Sequence, residues 1–126
     1  MRKFTRAALV ATLVVTGGIA ASSSATAQTA SIWSPDGGAR LTVSAVAGKT
    51  PVAVVEDIKC DGRGPIGYVK VANMGYYPVP VPDGCNRSKE QVISAIAKKG
   101  DTISYYICNK NATAKSCSSV ASFKVP

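Results

Sequence analysis

Few side chains in this 126-residue chain can do chemistry. It holds no histidine, seven carboxylates and four cysteines. Without an imidazole, Ser–His and Cys–His nucleophile pairs and histidine-containing zinc sites are excluded. The carboxylates are Asp36, Glu56, Asp57, Asp61, Asp83, Glu90 and Asp101. Most stand beside Gly or Pro, where an Asp side chain caps a turn. Glu56 and Asp57 are sequence neighbours and on a strand point to opposite faces, so a working carboxylate pair has to come from distant segments that meet in space. No S-x-x-K motif with its companions supplies a serine–lysine pair.

The cysteines Cys60, Cys85, Cys108 and Cys117 lack the closely spaced C-x₂₋₄-C knuckles of a four-thiolate zinc site, so neither a metal nor another cofactor is expected. An even count in a small exported chain reads as two disulfides. Of the three possible connectivities, Cys60–Cys85 with Cys108–Cys117 is favoured. The second pair closes the short loop NKNATAKS between two strand-like runs, and the first spans GYVKVANMGYYPVPVPDG.

Two surface features invite a binding role. Gly75–Cys85 (GYYPVPVPDGC) alternates prolines with valines after two tyrosines. Proline removes backbone donors, so this run is an edge strand or a stiff extended loop and not a central strand. Such a loop presents Tyr76, Tyr77 and Val81 to a partner at low ordering cost. Lys98, Lys99, Lys110, Lys115 and Lys124 make the second half basic. The plain reading is a solvated face that keeps the chain soluble. No basic–aromatic array of the kind that holds single strands is visible, so nucleic acid is not an expected partner. Asn86-Arg-Ser88 and Asn111-Ala-Thr113 are glycan acceptors only where the host modifies exported chains.

The elements that position these residues begin after a secretory segment. Arg2, Lys3 and Arg6 precede the apolar run Ala7–Val15, and Ala25-Thr26-Ala27 reads as a cleavage site. The apolar run is shorter than the roughly 20 residues a membrane span needs, so residues 1–27 read as a signal peptide and not an anchor. Their removal leaves residues 28–126, or 99 of the 126, as one domain. Three of the 15 cations leave with the signal and all seven acids stay, so the net charge of +8 becomes +5.

The domain reads as all-β. It contains 12 Val and 7 Ile against the single Leu41, and β-branched residues favour strands. Strand-like runs over 30–33, 40–46, 52–60, 66–73, 102–109 and 118–125 are separated by Gly, Pro and Asp turn signals. Period-two alternation puts Leu41, Val43 and Ala45 on one face. It sets Val69 and Val71 against Tyr68 and Lys70, Ile103, Tyr105 and Ile107 against Ser104 and Tyr106, and Ala121, Phe123 and Val125 against Ser122 and Lys124. The expected architecture is a single antiparallel β-sandwich of about six to eight strands, Ig-like, with two disulfides. Residues 89–99 stay open. Ser88-Lys-Glu-Gln91 resembles a helix capping box, whereas the β-rich setting favours a strand over 91–97. The single Trp33 reads as a core residue.

The Trp33-Ser-Pro-Asp-Gly-Gly start, the Cys60-Asp-Gly-Arg turn and the Tyr-Tyr-Ile-Cys108 strand followed by Cys117-Ser-Ser resemble small exported β-proteins of actinobacteria. In outline the chain is also similar to microbial α-amylase inhibitors of the tendamistat type, which are small secreted sandwiches with two sequentially paired disulfides. Those depend on a Trp-Arg-Tyr triplet at a turn; here Ser34 and Pro35 follow Trp33. The reading carried forward is a secreted, monomeric, disulfide-stabilised binding protein, not membrane-spanning once cleaved. Its partner is an extracellular protein, such as an enzyme it inhibits, or a cell-envelope component. The alternatives are a cationic envelope-associated protein with a structural or antimicrobial role and a hydrolase using carboxylates.

Overall fold

The structure, a computed structural model, describes residues 26–81 and 86–126. Nine strands form: β1 (Ala27–Trp33), β2 (Ala39–Val46), β3 (Val52–Asp57), β4 (Gly64–Val71), β5 (Tyr77–Pro80), β6 (Ser88–Val92), β7 (Thr102–Lys110), β8 (Lys115–Cys117) and β9 (Ala121–Lys124). They make two antiparallel sheets. One has the order β1-β2-β3-β6 and the other β5-β4-β7, with β8 and β9 following one another along the free edge of β7.

Burial alternates as the sequence demands. On β2, Leu41, Val43 and Ala45 are buried, and on β7 so are Ile103, Tyr105 and Ile107. These inward rows, with Ala53, Val55, Val69, Val71 and Val79, form one core between the sheets. Burying a Val, Leu or Ile side chain contributes roughly 1.5–3 kcal/mol, so this double row is the main source of stability. Gly67 sets the spacing. A Cβ placed there would stand 2.6 Å from Val55 Cγ2 and 3.1 Å from Leu41 Cδ1, so the absence of a side chain lets β4 lie against β2 and β3.

Several expectations change. There are nine strands among the described residues against about six to eight expected, because β8 forms from residues read as the end of the cysteine-closed loop, ahead of the last expected strand. Between Cys108↔Cys117 and Tyr105↔Ala121 the register slips by one residue. The Ile107 N–H there donates to Ser118 Oγ (3.0 Å) while its carbonyl accepts from the Ser118 N–H (2.8 Å). Such a bulge bends an edge strand and makes it harder to extend by another chain.

Residues 88–92 are strand β6, not a helix. Beyond it Ile93 and Ala97 are buried while Val92 and Ile96 are 51% and 61% exposed. Odd and even positions thus separate as on an extended chain. Lys49 and Ala97 form an isolated bridge, so the segment after β6 runs on beside the β2–β3 turn.

Trp33 is not in the core. It is 45% exposed on the outer face, where its cross-strand neighbour Arg40 lies 5.1 Å over the ring and pairs with Glu56. The Pro-rich run forms the edge strand β5, with Pro78 and Pro80 exposed and Val79 buried.

Cys108 and Cys117 are joined by a disulfide between directly opposed positions of β7 and β8. Cys85, the expected partner of Cys60, lies outside the described residues, as does nearly all of the expected secretory segment; no described cysteine is free. Gly67→Ala should lower the stability by about 1–3 kcal/mol, because the added methyl must displace stiff, buried Val55. Thermal unfolding followed by circular dichroism checks this, and an unchanged midpoint would refute the close-approach reading.

Candidate functional site

Two places gather polar or aromatic groups. The first is one end of the sandwich, where the β1–β2 turn, the β3–β4 connection and the end of β7 meet. Ser34-Pro-Asp-Gly-Gly38 is a turn closed by the Gly37 N–H to the Ser34 carbonyl (2.9 Å), and Gly37 takes φ of +73°, which suits glycine.

The turn aims Asp36 inward. Its Oδ1 accepts from Ser34 Oγ (2.6 Å) and the Gly38 N–H (3.0 Å), and its Oδ2 from Asn109 Nδ2 (3.0 Å) and Arg63 (2.9 Å). Burial alone would raise the Asp36 pKa. The bonds from Ser34, Gly38, Asn109 and Arg63 outweigh that and hold it at about 2. The same Asn109 amide donates to Asp61 Oδ2 (3.0 Å), and Asn109 is wholly buried.

Distant carboxylates therefore do meet, but as a clasp. Both oxygens of Asp36 are engaged and its charge is fixed, so it cannot shuttle a proton at neutral pH. A Cβ on Gly38 would fall 2.3 Å from Asn109 Nδ2 and 2.8 Å from Asp61 Oδ2, so the clasp is closed tightly over itself.

Beside it opens a cleft of about 590 Å³ bordered by Asp57, Lys59, Arg63, Lys110 and Val81. Asp57 is buried and its pKa is raised, first by burial and then by the charge of Asp61. Its Oδ1 has no hydrogen-bond partner among the described residues. The described residues hold no group of three or more His, Cys, Asp or Glu arranged for a metal ion.

The second place is the outer face of the five-stranded sheet. Because Val69, Val71, Ile103, Tyr105 and Ile107 point inward, Tyr68 and Lys70 of β4 and Ser104 and Tyr106 of β7 point outward. Tyr68 and Tyr106 are cross-strand partners and stack with ring centres 4.6 Å apart. Tyr76, from the β4–β5 turn, sets its ring against Tyr106 at 5.1 Å, and Lys70 Nζ lies 5.1 Å from the Tyr76 ring centre. Burial, with the neighbouring phenols of Tyr68 and Tyr76, raises the Tyr106 pKa, so its hydroxyl stays a donor at neutral pH.

The three residues singled out in the sequence separate here. Tyr76 is 36% exposed and belongs to this cluster. Tyr77 is similarly exposed, but its hydroxyl accepts a long hydrogen bond from Gln91 of β6, where it closes the edge between the sheets. Val81 is only 7% exposed: it packs into the core and shows only a small part of itself, to the cleft and not to the tyrosine cluster. Sequence reasoning missed Tyr68, Lys70 and Tyr106 as site residues. Their outward direction was in the alternation, but their convergence across β4 and β7 was not.

Comparison with protein-family models, with curated proteins and with solved structures finds no match. No helix among the described residues is long and apolar enough to cross a membrane.

The clasp makes two predictions. Asp36 is held at about 2 against an ordinary 3.8, which corresponds to about 2 kcal/mol of stability. For a depressed carboxylate that stability is present above the unfolded value and lost as pH falls through the folded one. Asp36→Asn should therefore lower the unfolding midpoint at pH 7, and the gap to the unaltered protein should close between about pH 4 and 2. Asp57 has the opposite sign: its ionised form is penalised in the fold. Asp57→Asn should raise the midpoint at pH 7 and give no gain near pH 3, where the carboxyl is protonated in both states. Unfolding curves at the two pH values test both.

Proposed function

We propose that this is an exported, disulfide-stabilised binding protein that works through the outer face of its five-stranded sheet. The observation that carries this reading is the cluster of Tyr68, Tyr76 and Tyr106 with Lys70 on an open sheet face. Tyrosine offers large contact area with few rotors to freeze and a polar tip, and it is enriched where protein surfaces are recognised. The cluster is ordered before any partner arrives, since each ring rests on another or on a cation, so little entropy is lost on contact. Asp36 and Asp61, which meet through Asn109, serve the clasp, and this favours binding over hydrolysis at that pair. The partner is an extracellular enzyme, which the protein would inhibit, or a component of the cell envelope.

The test expresses the full chain, recovers the exported form from the medium and compares it with Tyr76→Ala. Both are measured for inhibition of a panel of secreted proteases and glycosidases and for retention on purified cell walls. The expected result is a partner in one of these arms that Tyr76→Ala binds at least tenfold more weakly, a loss of about 1.4 kcal/mol. Absence of inhibition at micromolar protein removes the inhibitor form. Equal behaviour of the two proteins in both arms overturns the face as the contact surface.

A further inference from the structure

The two sheets carry different charge. The strands of the four-stranded sheet hold Arg40 and Lys89 with Glu56, Asp57 and Glu90. The five strands of the other sheet hold Lys70, Lys110, Lys115 and Lys124 and no carboxylate at all. All four lysines lie on the outer side, alternating with inward residues or opposite an outward partner. Lys70 is flanked by buried Val69 and Val71, Lys124 stands between Phe123 and Val125, and Lys110 and Lys115 face each other across β7 and β8. Like charges at directly opposed positions repel, and no carboxylate stands on these strands; the acids Asp57 and Asp61 line the cleft at the Lys110 end. An anionic ligand would offset the repulsion.

The layout is a stripe. Lys70 is paired with Ser104 and Lys110 lies six residues further along β7, about 20 Å on an extended strand. Tyr68, Tyr76 and Tyr106 lie between the two ends. A ligand following this stripe has repeated negative charge and hydroxyl or ether groups between the charges.

The rings also narrow the choice. Tyr68 and Tyr106 stack on each other, Tyr76 meets Tyr106, and Lys70 lies near the Tyr76 ring, so much of the aromatic surface is engaged within the cluster. The cluster offers phenol groups and an ammonium more than the open aromatic platforms that nucleobases need. The cations of this sheet are all lysine. Lysine is a mobile point charge that takes an anionic group without requiring the fixed planar geometry arginine prefers, so the face suits a torsionally loose polyanion such as a chain of phosphodiesters.

We infer that this face binds a phosphodiester-linked polyol chain through Lys70, Lys110 and Lys115, with the tyrosine cluster between them. The inference rests on the same face as the proposed function and names its partner class.

The exported protein is titrated with poly(glycerol phosphate), with a neutral glucan and with a single-stranded DNA oligonucleotide, by calorimetry at two salt concentrations. The expected result is binding to poly(glycerol phosphate) that weakens at least tenfold between about 50 and 300 mM NaCl, with no binding to the glucan. A double variant, Lys110→Glu with Lys115→Glu, should bind at least tenfold more weakly. Lys89→Glu, on the other sheet, should stay within twofold. Circular dichroism confirms that both variants are folded, which their exposed positions favour.

No binding to the polymer, equal weakening by Lys89→Glu, or tighter binding to the DNA would each overturn the inference. If the polymer fails while Tyr76→Ala still weakens an enzyme contact, the inference falls and the proposed function stands. If both fail, the face is not a contact surface.

Discussion

Every property of the outer faces depends on one constraint, the burial of aliphatic rows between the two sheets. Leu41, Val43, Val55, Val69, Ile103 and Ile107 are wholly buried. On a strand each inward side chain forces its neighbours outward, and slipping any strand by one residue would drive this row into water. Tyr68, Lys70 and Tyr106 point outward because Val69 and Ile107 point inward. Gly67 is part of the same constraint, since the sheets reach this spacing where β4 has no side chain to place between Leu41 and Val55.

A domain of this size has limited surplus stability from its core alone. The remaining support is at the sandwich end and along one edge. The Asp36 clasp ties the β1–β2 turn to the β3–β4 connection and to β7 through Asn109 and Arg63, and the Cys108–Cys117 bridge pins β8 to β7. The clasp engages both oxygens of Asp36 and ties Asp61 to it through Asn109.

The separation of charge between the sheets gives the surface its direction. A modest net charge says little about partners when spread evenly. Here three of the four lysines on the five-stranded sheet come from β7 and the two strands on its free edge, while the strand carboxylates Glu56, Asp57 and Glu90 belong to the other sheet. Low opposing charge over a stripe of this length favours an extended partner over a compact one.

Much of the fold was legible in residue order. The β-branched composition, the turn signals and the alternation at 41–45, 69–71 and 103–107 follow from what a half-buried strand needs, and the Cys108–Cys117 pairing from the short loop between them. Residues 89–99 were ambiguous because a capping-box pattern and a strand pattern share the same letters; packing of Ile93 and Ala97 into the core decided it. Trp33 was misplaced because its size argued for the interior, while the register set it beside Arg40 on the outside. The candidate site was half legible. Tyr76 could be picked from its Pro-rich setting, but Val81 could not be told from a presented residue until the core was seen.

The sequence by itself determined which side chains alternate and therefore which had to turn away from the core. Only the tertiary structure decided which of those outward residues stand together, because the pairing of β4 with β7, 34 positions apart at Lys70 and Ser104 and 38 at Tyr68 and Tyr106, is set by long-range packing between the sheets and not by any local pattern.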